Sequence, residues 1–176
     1  MKFLFFVFLF IEKCNGFFPA LFNLERSVKI AANKPPFEEN IFQLNELCSK
    51  LDKYKKDGIC KPFISDLDGY WRLLSCTDES KHSFSYQYFD LKNNKASDTY
   101  KFKNGSVIEN SYSILPTENS VFYNNKVEKI THSDRTININ NYNDSMELEL
   151  LYLSPSVRVD KTSDGKLFVY EPTPQP

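Results

Sequence analysis

The chain has 176 residues, enough for one domain with a real core plus terminal additions. Its 22 Lys+Arg stand against 23 Asp+Glu, a net charge of -1, which leaves no basic field to hold nucleic acid. Hydrophobic residues at 41%, with sixteen Phe and ten Tyr, exclude wholesale disorder.

The first sixteen residues read as an address. Lys2 precedes an unbroken apolar run from Phe3 to Ile11, and small side chains occupy Cys14 and Gly16. That order matches a signal peptide over residues 1–16, and so short a run cannot cross a ~30 Å hydrocarbon layer as a helix. Residues 17–36 follow with Arg26, Lys29 and Lys34 against a single acid, Glu25. This basic, acid-poor composition is that of a transit-like leader or linker. A signal peptide running into Phe17 and such a stretch resembles the two-part leaders that deliver proteins to plastids of secondary origin. Cys48, Cys60 and Cys76 form neither an even set nor a Cys-x-x-Cys pair, so they read as packing thiols, with no disulfide framework or zinc site.

Residues 37–58 form the first structural segment. Phe37, Ile41, Leu44, Leu47 with Cys48, Leu51 and Tyr54 recur every three to four residues, the stripe of an amphipathic helix. Glu38 and Glu39 open it, Lys53, Lys55 and Lys56 close it, and Gly58 stands at the C-terminal cap position. Its polar face mixes acids with lysines, so it is expected to pack on the domain rather than lie on a membrane.

From residue 59 to 171 the period changes to two. Phe84, Tyr86 and Tyr88 share a face, and Tyr100 and Phe102 share another. Asn104-Gly105 marks a hairpin before Ile108, Tyr112 and Ile114. Val121 and Tyr123 lead to Asn124-Asn125, read as a turn before Val127 to Thr131. Ile137 and Ile139 are expected to point inward, Asn138 and Asn140 outward, and Leu148 and Leu150 alternate with the wet Glu147 and Glu149. Val157 and Val159 pass through Ser163-Asp164-Gly165 into the last strand, and residues 172–176 form a Pro-rich tail. About eight or nine short strands with hairpin-length turns close most readily into an antiparallel up-and-down β-barrel, which removes exposed edges. A two-sheet sandwich is the alternative. The fold class is therefore mainly β, with one preceding N-terminal helix.

Two segments carry a family resemblance. Gly69-Tyr70-Trp71-Arg72-Leu73-Leu74 is similar to the Gly-x-Trp-x-Leu-Leu opening of the plastid lipid-associated protein (fibrillin) domain. Val157-Arg158-Val159 and Gly165-Lys166-Leu167-Phe168-Val169 resemble that family's closing motif. Ser75-Cys76 and Ser154-Pro155-Ser156 depart from its pattern. The resemblance implies a lipocalin-like barrel in a plastid, associated peripherally with thylakoids or lipid globules. It implies an apolar lipid partner (quinone, carotenoid or acyl lipid) and structural roles for Gly69, Trp71, Arg158, Gly165, Leu167 and Phe168. If the first and last strands meet, the Arg158 guanidinium can stack on the Trp71 indole.

The sequence offers no catalytic constellation, cofactor motif or metal set: His82 and His132 stand apart, and no Gly-rich phosphate loop occurs. Binding is the first functional expectation, with Phe84, Tyr86, Tyr88, Tyr100 and Phe102 as candidate barrel lining. A scaffold docked on lipid globules by its outer face is the second, and a small lyase or chaperone for a chromophore the third.

Overall fold

The computed structural model describes residues 19–34, 38–58, 63–77, 84–102, 104–132, 135–141 and 145–176. The proposed signal peptide lies outside them, as do Cys60 and His82. Two helices come first, α1 over residues 19–32 and α2 over Glu38–Lys56. Nine strands follow: β1 (Gly69–Cys76), β2 (Phe84–Asp90), β3 (Lys95–Lys101), β4 (Val107–Pro116), β5 (Ser120–His132), β6 (Arg135–Asn141), β7 (Met146–Leu153), β8 (Arg158–Thr162) and β9 (Leu167–Pro172). The order β4-β3-β2-β1-β9-β8-β7-β5-β6, with β4 also paired to β5, closes an eight-stranded antiparallel barrel and leaves β6 as an extra strand on β5. β1 and β9 complete the ring through pairs such as Leu73↔Tyr170 and Cys76↔Phe168.

Glycine is required at two points of this path. Gly69 enters β1 at φ +107 and Gly165 turns β8 into β9 at φ +86, regions that L side chains avoid. One end of the barrel is closed by the 3-10 turn Ile64–Leu67, whose Leu67 is fully buried and whose carbonyl accepts the Trp71 indole N–H at 2.8 Å.

Apolar side chains form two cores on opposite sides of the same strands. The inner one fills the ring with Trp71, Phe89, Ile114, Val121, Tyr123 and their neighbours. The outer one packs Val28, Ala31 and Ala32 of α1 and Leu44, Cys48 and Leu51 of α2 against Tyr152, Val157, Val159 and Val169. Burial in this layer pushes the Cys48 thiol up to about 12, so it stays protonated and apolar. The α2 stripe predicted from periodicity is the face found buried.

Three expectations need correction. Residues 19–32, placed in a leader, form a second helix that belongs to the packed body. Its buried Glu25 accepts from the Tyr152 hydroxyl at 2.5 Å and the Ser156 hydroxyl at 2.6 Å, and Lys29 pairs with Glu171 at 3.3 Å. A chain starting at residue 37 is thus expected to be less stable than one starting at residue 17 by about 3 kcal/mol, or ~10 °C in Tm. Equal melting of the two would show that α1 contributes nothing.

Asn124-Asn125 makes no turn. Asn125 takes a left-handed φ of 55 beside a register shift at Ser111/Ser113, so β5 bulges and runs on, paired to β4 on both sides. Ile137 and Ile139 do not reach the core: β6 hangs outside the closed ring, leaving them 61% and 39% exposed.

Candidate functional site

The barrel interior holds an unusual polar layer. β8 alternates Val157 and Val159 outward, under the helices, with Arg158 and Asp160 inward. Arg158 is 0% and Asp160 1% exposed. Arg158 Nε lies 3.0 Å from Asp160 Oδ2, and its Nη2 donates to Gln87 Oε1 on β2. Gln87 Nε2 donates to Asp98 Oδ1 on β3 at 2.7 Å and to the Tyr123 hydroxyl at 3.2 Å. Asp98 Oδ2 also accepts from the Tyr112 and Tyr100 hydroxyls at 3.2 and 3.5 Å. The cluster therefore links strands on both sides of the ring.

Aromatic rings wall the guanidinium. Its carbon is 3.8 Å from the centre of Tyr170, 4.9 Å from Phe89 and 5.3 Å from Trp71. Stacking of a desolvated cation on such rings contributes ~2 kcal/mol, which offsets part of the cost of burying it. The predicted meeting of Trp71 and Arg158 is found. Among the described residues, four polar atoms here find no hydrogen-bond partner: Arg158 Nε, which is only ion-paired to Asp160, Arg158 Nη1, Asp160 Oδ1 and Asn110 Oδ1.

Burial pushes the Asp160 carboxyl up to about 6, with Arg158 opposing that rise and Asp98 adding to it. Burial likewise raises the Tyr123 and Tyr170 hydroxyls well above their ordinary range. Because folded Asp160 takes up a proton before the unfolded chain does, stability is expected to increase as pH falls through about 6. The gain is ~2 kcal/mol before acid effects elsewhere intervene. Glu171, held low chiefly by its Arg72 and Lys29 partners against the effect of burial, loses its contribution only below the usual carboxylate range. Urea unfolding at several pH values checks this: the rise should be present in the parent and absent in Asp160→Asn.

Above this layer the interior face continues as an apolar wall. Strand pairing sets Tyr100, Ile108 and Ile130 side by side across β3, β4 and β5, and the row runs on to the exposed Ile137 of β6, outside the ring. These residues lie past Tyr123↔Met146, the β5–β7 pair at that end. Tyr100, Ile108 and Ile130 are half-buried. Tyr100 and Ile108 stand two positions from Asp98 and Asn110 on the same strands, so this wall borders the polar layer.

The five aromatics predicted to line the barrel divide. Tyr100 is on the interior face. Tyr86 and Tyr88 are corrected to the outer face, because Gln87 and Phe89 take the inward positions of β2. There Tyr88 stacks on Tyr70 at 4.4 Å, and Lys101 lies over Tyr86 at 5.7 Å. Phe102 is 40% exposed at the end of β3, and the Phe84 side chain lies outside the described residues. Leu167 packs in the outer core and Phe168 borders the inner one beside Tyr170.

No protein-family model matches the chain, and no curated protein or solved structure is significantly similar to it. The site therefore stands on its own geometry. Sequence reasoning missed Gln87, Asp98, Asn110 and Asp160. The available signal was the i, i+2 spacing of Arg158 and Asp160, which puts two opposite charges on one face of a strand.

His132 is exposed, with Nδ1 2.7 Å from the Ser106 hydroxyl. Among the described residues no three metal-ligating side chains converge. A groove of about 620 Å³ between α1 and α2, edged by Lys50, Lys53, Tyr54 and Asp57, lies outside the barrel.

Proposed function

We propose that the protein is a non-catalytic carrier that holds an amphipathic lipid, with its hydrocarbon on the isoleucine wall and its polar end toward Arg158. The observation that carries this reading is the fully buried Arg158, enclosed by three aromatic rings, with Nη1 lacking a hydrogen-bond partner among the described residues. Buried polar groups are normally satisfied, and a few convergent ones within an apolar enclosure are the usual make-up of a small-molecule site. Asp160 faces a guanidinium rather than a nucleophile, so we assign it to positioning Arg158.

The sequence resemblance to the plastid lipid-associated family points to isoprenoid or acyl lipids as the class. A plastid, with peripheral association at thylakoids or lipid globules, is the setting that this resemblance implies. No described helix is long and apolar enough to cross a membrane. The scaffold reading has one observation of its own: Leu115 and Phe122, paired across β4 and β5, are 61% and 36% exposed on the outer face.

Mass spectrometry of lipid co-purified with the protein separates the two. A bound lipid, or one acquired from thylakoid lipid extract, is expected. Failure to acquire any lipid while still floating with lipid globules would overturn the carrier in favour of the scaffold.

A further inference from the structure

We propose that the Arg158 subsite selects an uncharged lipid head carrying a carbonyl-type acceptor beside a hydroxyl donor, and rejects a free carboxylate. This inference rests on the carrier reading above.

Three of the four unpartnered atoms define what the head must supply, the fourth, Arg158 Nε, being held by its ion pair with Asp160. Arg158 Nη1 is a donor in need of an acceptor; Asp160 Oδ1 and Asn110 Oδ1 are acceptors in need of a donor. Their residues are 0%, 1% and 5% exposed. They belong to one connected patch: Asn110 is the strand partner of Asp98, Asp98 is bonded to Gln87, and Gln87 accepts from Arg158. A head with only an acceptor satisfies the arginine and leaves two oxygens orphaned, and a hydrocarbon end satisfies none.

Charge decides against the carboxylate. The patch already holds two acids, Asp98 and Asp160, against one guanidinium. The surrounding titratable groups are Tyr100, Tyr112, Tyr123 and Tyr170, whose hydroxyls burial pushes up and keeps neutral, and Glu128, the strand partner of Asn110, already ion-paired to Lys126 at 2.9 Å. Arg158 is also committed on two sides, through Nε to Asp160 and Nη2 to Gln87. A third anion in this water-poor interior would meet like charges with no cation to itself. A neutral ester or ketone oxygen accepts from Nη1 without that penalty, and an adjacent hydroxyl donates to Asp160 or Asn110.

The test compares three probes of one chain length, monopalmitoylglycerol, methyl palmitate and palmitate, by native mass spectrometry at about pH 8. Monopalmitoylglycerol is expected to bind tightest. Methyl palmitate, lacking a donor, should be weaker, and palmitate weakest, by at least about tenfold relative to the first. Arg158→Met should erase the preference. Because that variant can lose its fold, Asn110→Val is the second probe: it should bring monopalmitoylglycerol toward methyl palmitate without changing the latter. Palmitate binding as tightly as monopalmitoylglycerol would overturn the inference while leaving the carrier intact. Equal binding of the two neutral probes would overturn its donor half. Binding of none would overturn the carrier reading itself.

Discussion

Replacing Trp71 by alanine is expected to cost about 3–5 kcal/mol and leave little folded protein at ordinary temperature. The indole is 2% exposed and fills the inner core from β1. Its removal leaves a cavity that the closed ring cannot collapse to fill. It also deletes the bond from Nε1 to the Leu67 carbonyl, which pins the 3-10 turn across the end of the barrel, and one of the three rings on Arg158. Trp71→Phe keeps most of the volume and should lose about half as much. Thermal melting followed by circular dichroism reads the difference. A Trp71→Ala variant that melts with the parent would remove the indole from the centre of the core.

Removing the Arg158 side chain has a comparable effect for another reason. Arg158→Ala leaves Asp160 buried without its counter-charge and Gln87 without its donor, a loss of about 3–5 kcal/mol. The pair itself is weak evidence for stability, since desolvating two charges absorbs most of their attraction. The double variant Arg158→Met with Asp160→Leu is accordingly expected to be much more stable than Arg158→Ala, and near the parent. A double variant as unstable as the single one would show that the ion pair is needed for folding. Recovery of the fold without lipid binding would show that the charges are retained for the ligand.

Much of this architecture is legible in the sequence, and the rest is hidden for definable reasons. The ring follows from period-two segments and short turns. Its closure is foreshadowed by Trp71 near the start and Arg158 near the end, and the structure joins β1 to β9 with Arg158 over Trp71. Inside and outside are harder. Val157 and Val159 look like the core face of β8, and nothing in that alternation marks Asp160 as an interior residue beside Arg158. Helices cover the valine face, so both faces of β8 are dry, and the charged face turns inward. The same two-sided burial explains the apolar run from Leu150 to Leu153 on β7. On β2 the aromatics misled: Tyr86 and Tyr88 stay half-exposed on the outer face because Gln87 has three partners inside. A hydrophobicity pattern cannot register a hydrogen-bond network assembled from five strands. Helix α1 was obscured because its buried stripe uses small side chains, Ala31 and Ala32 beside Val28, and its basic composition imitates a leader.

Nuclear magnetic resonance of the Arg158 side chain tests the central claim, a guanidinium sealed inside the ring where the first and last strands meet. The expected spectrum shows its protons shifted upfield by the stacked rings, the Nε–H protected from solvent exchange, and cross-relaxation to the Trp71 indole and the Tyr170 ring. An Arg158 signal at the position of a free arginine, exchanging with water and without contact to either ring, would contradict it.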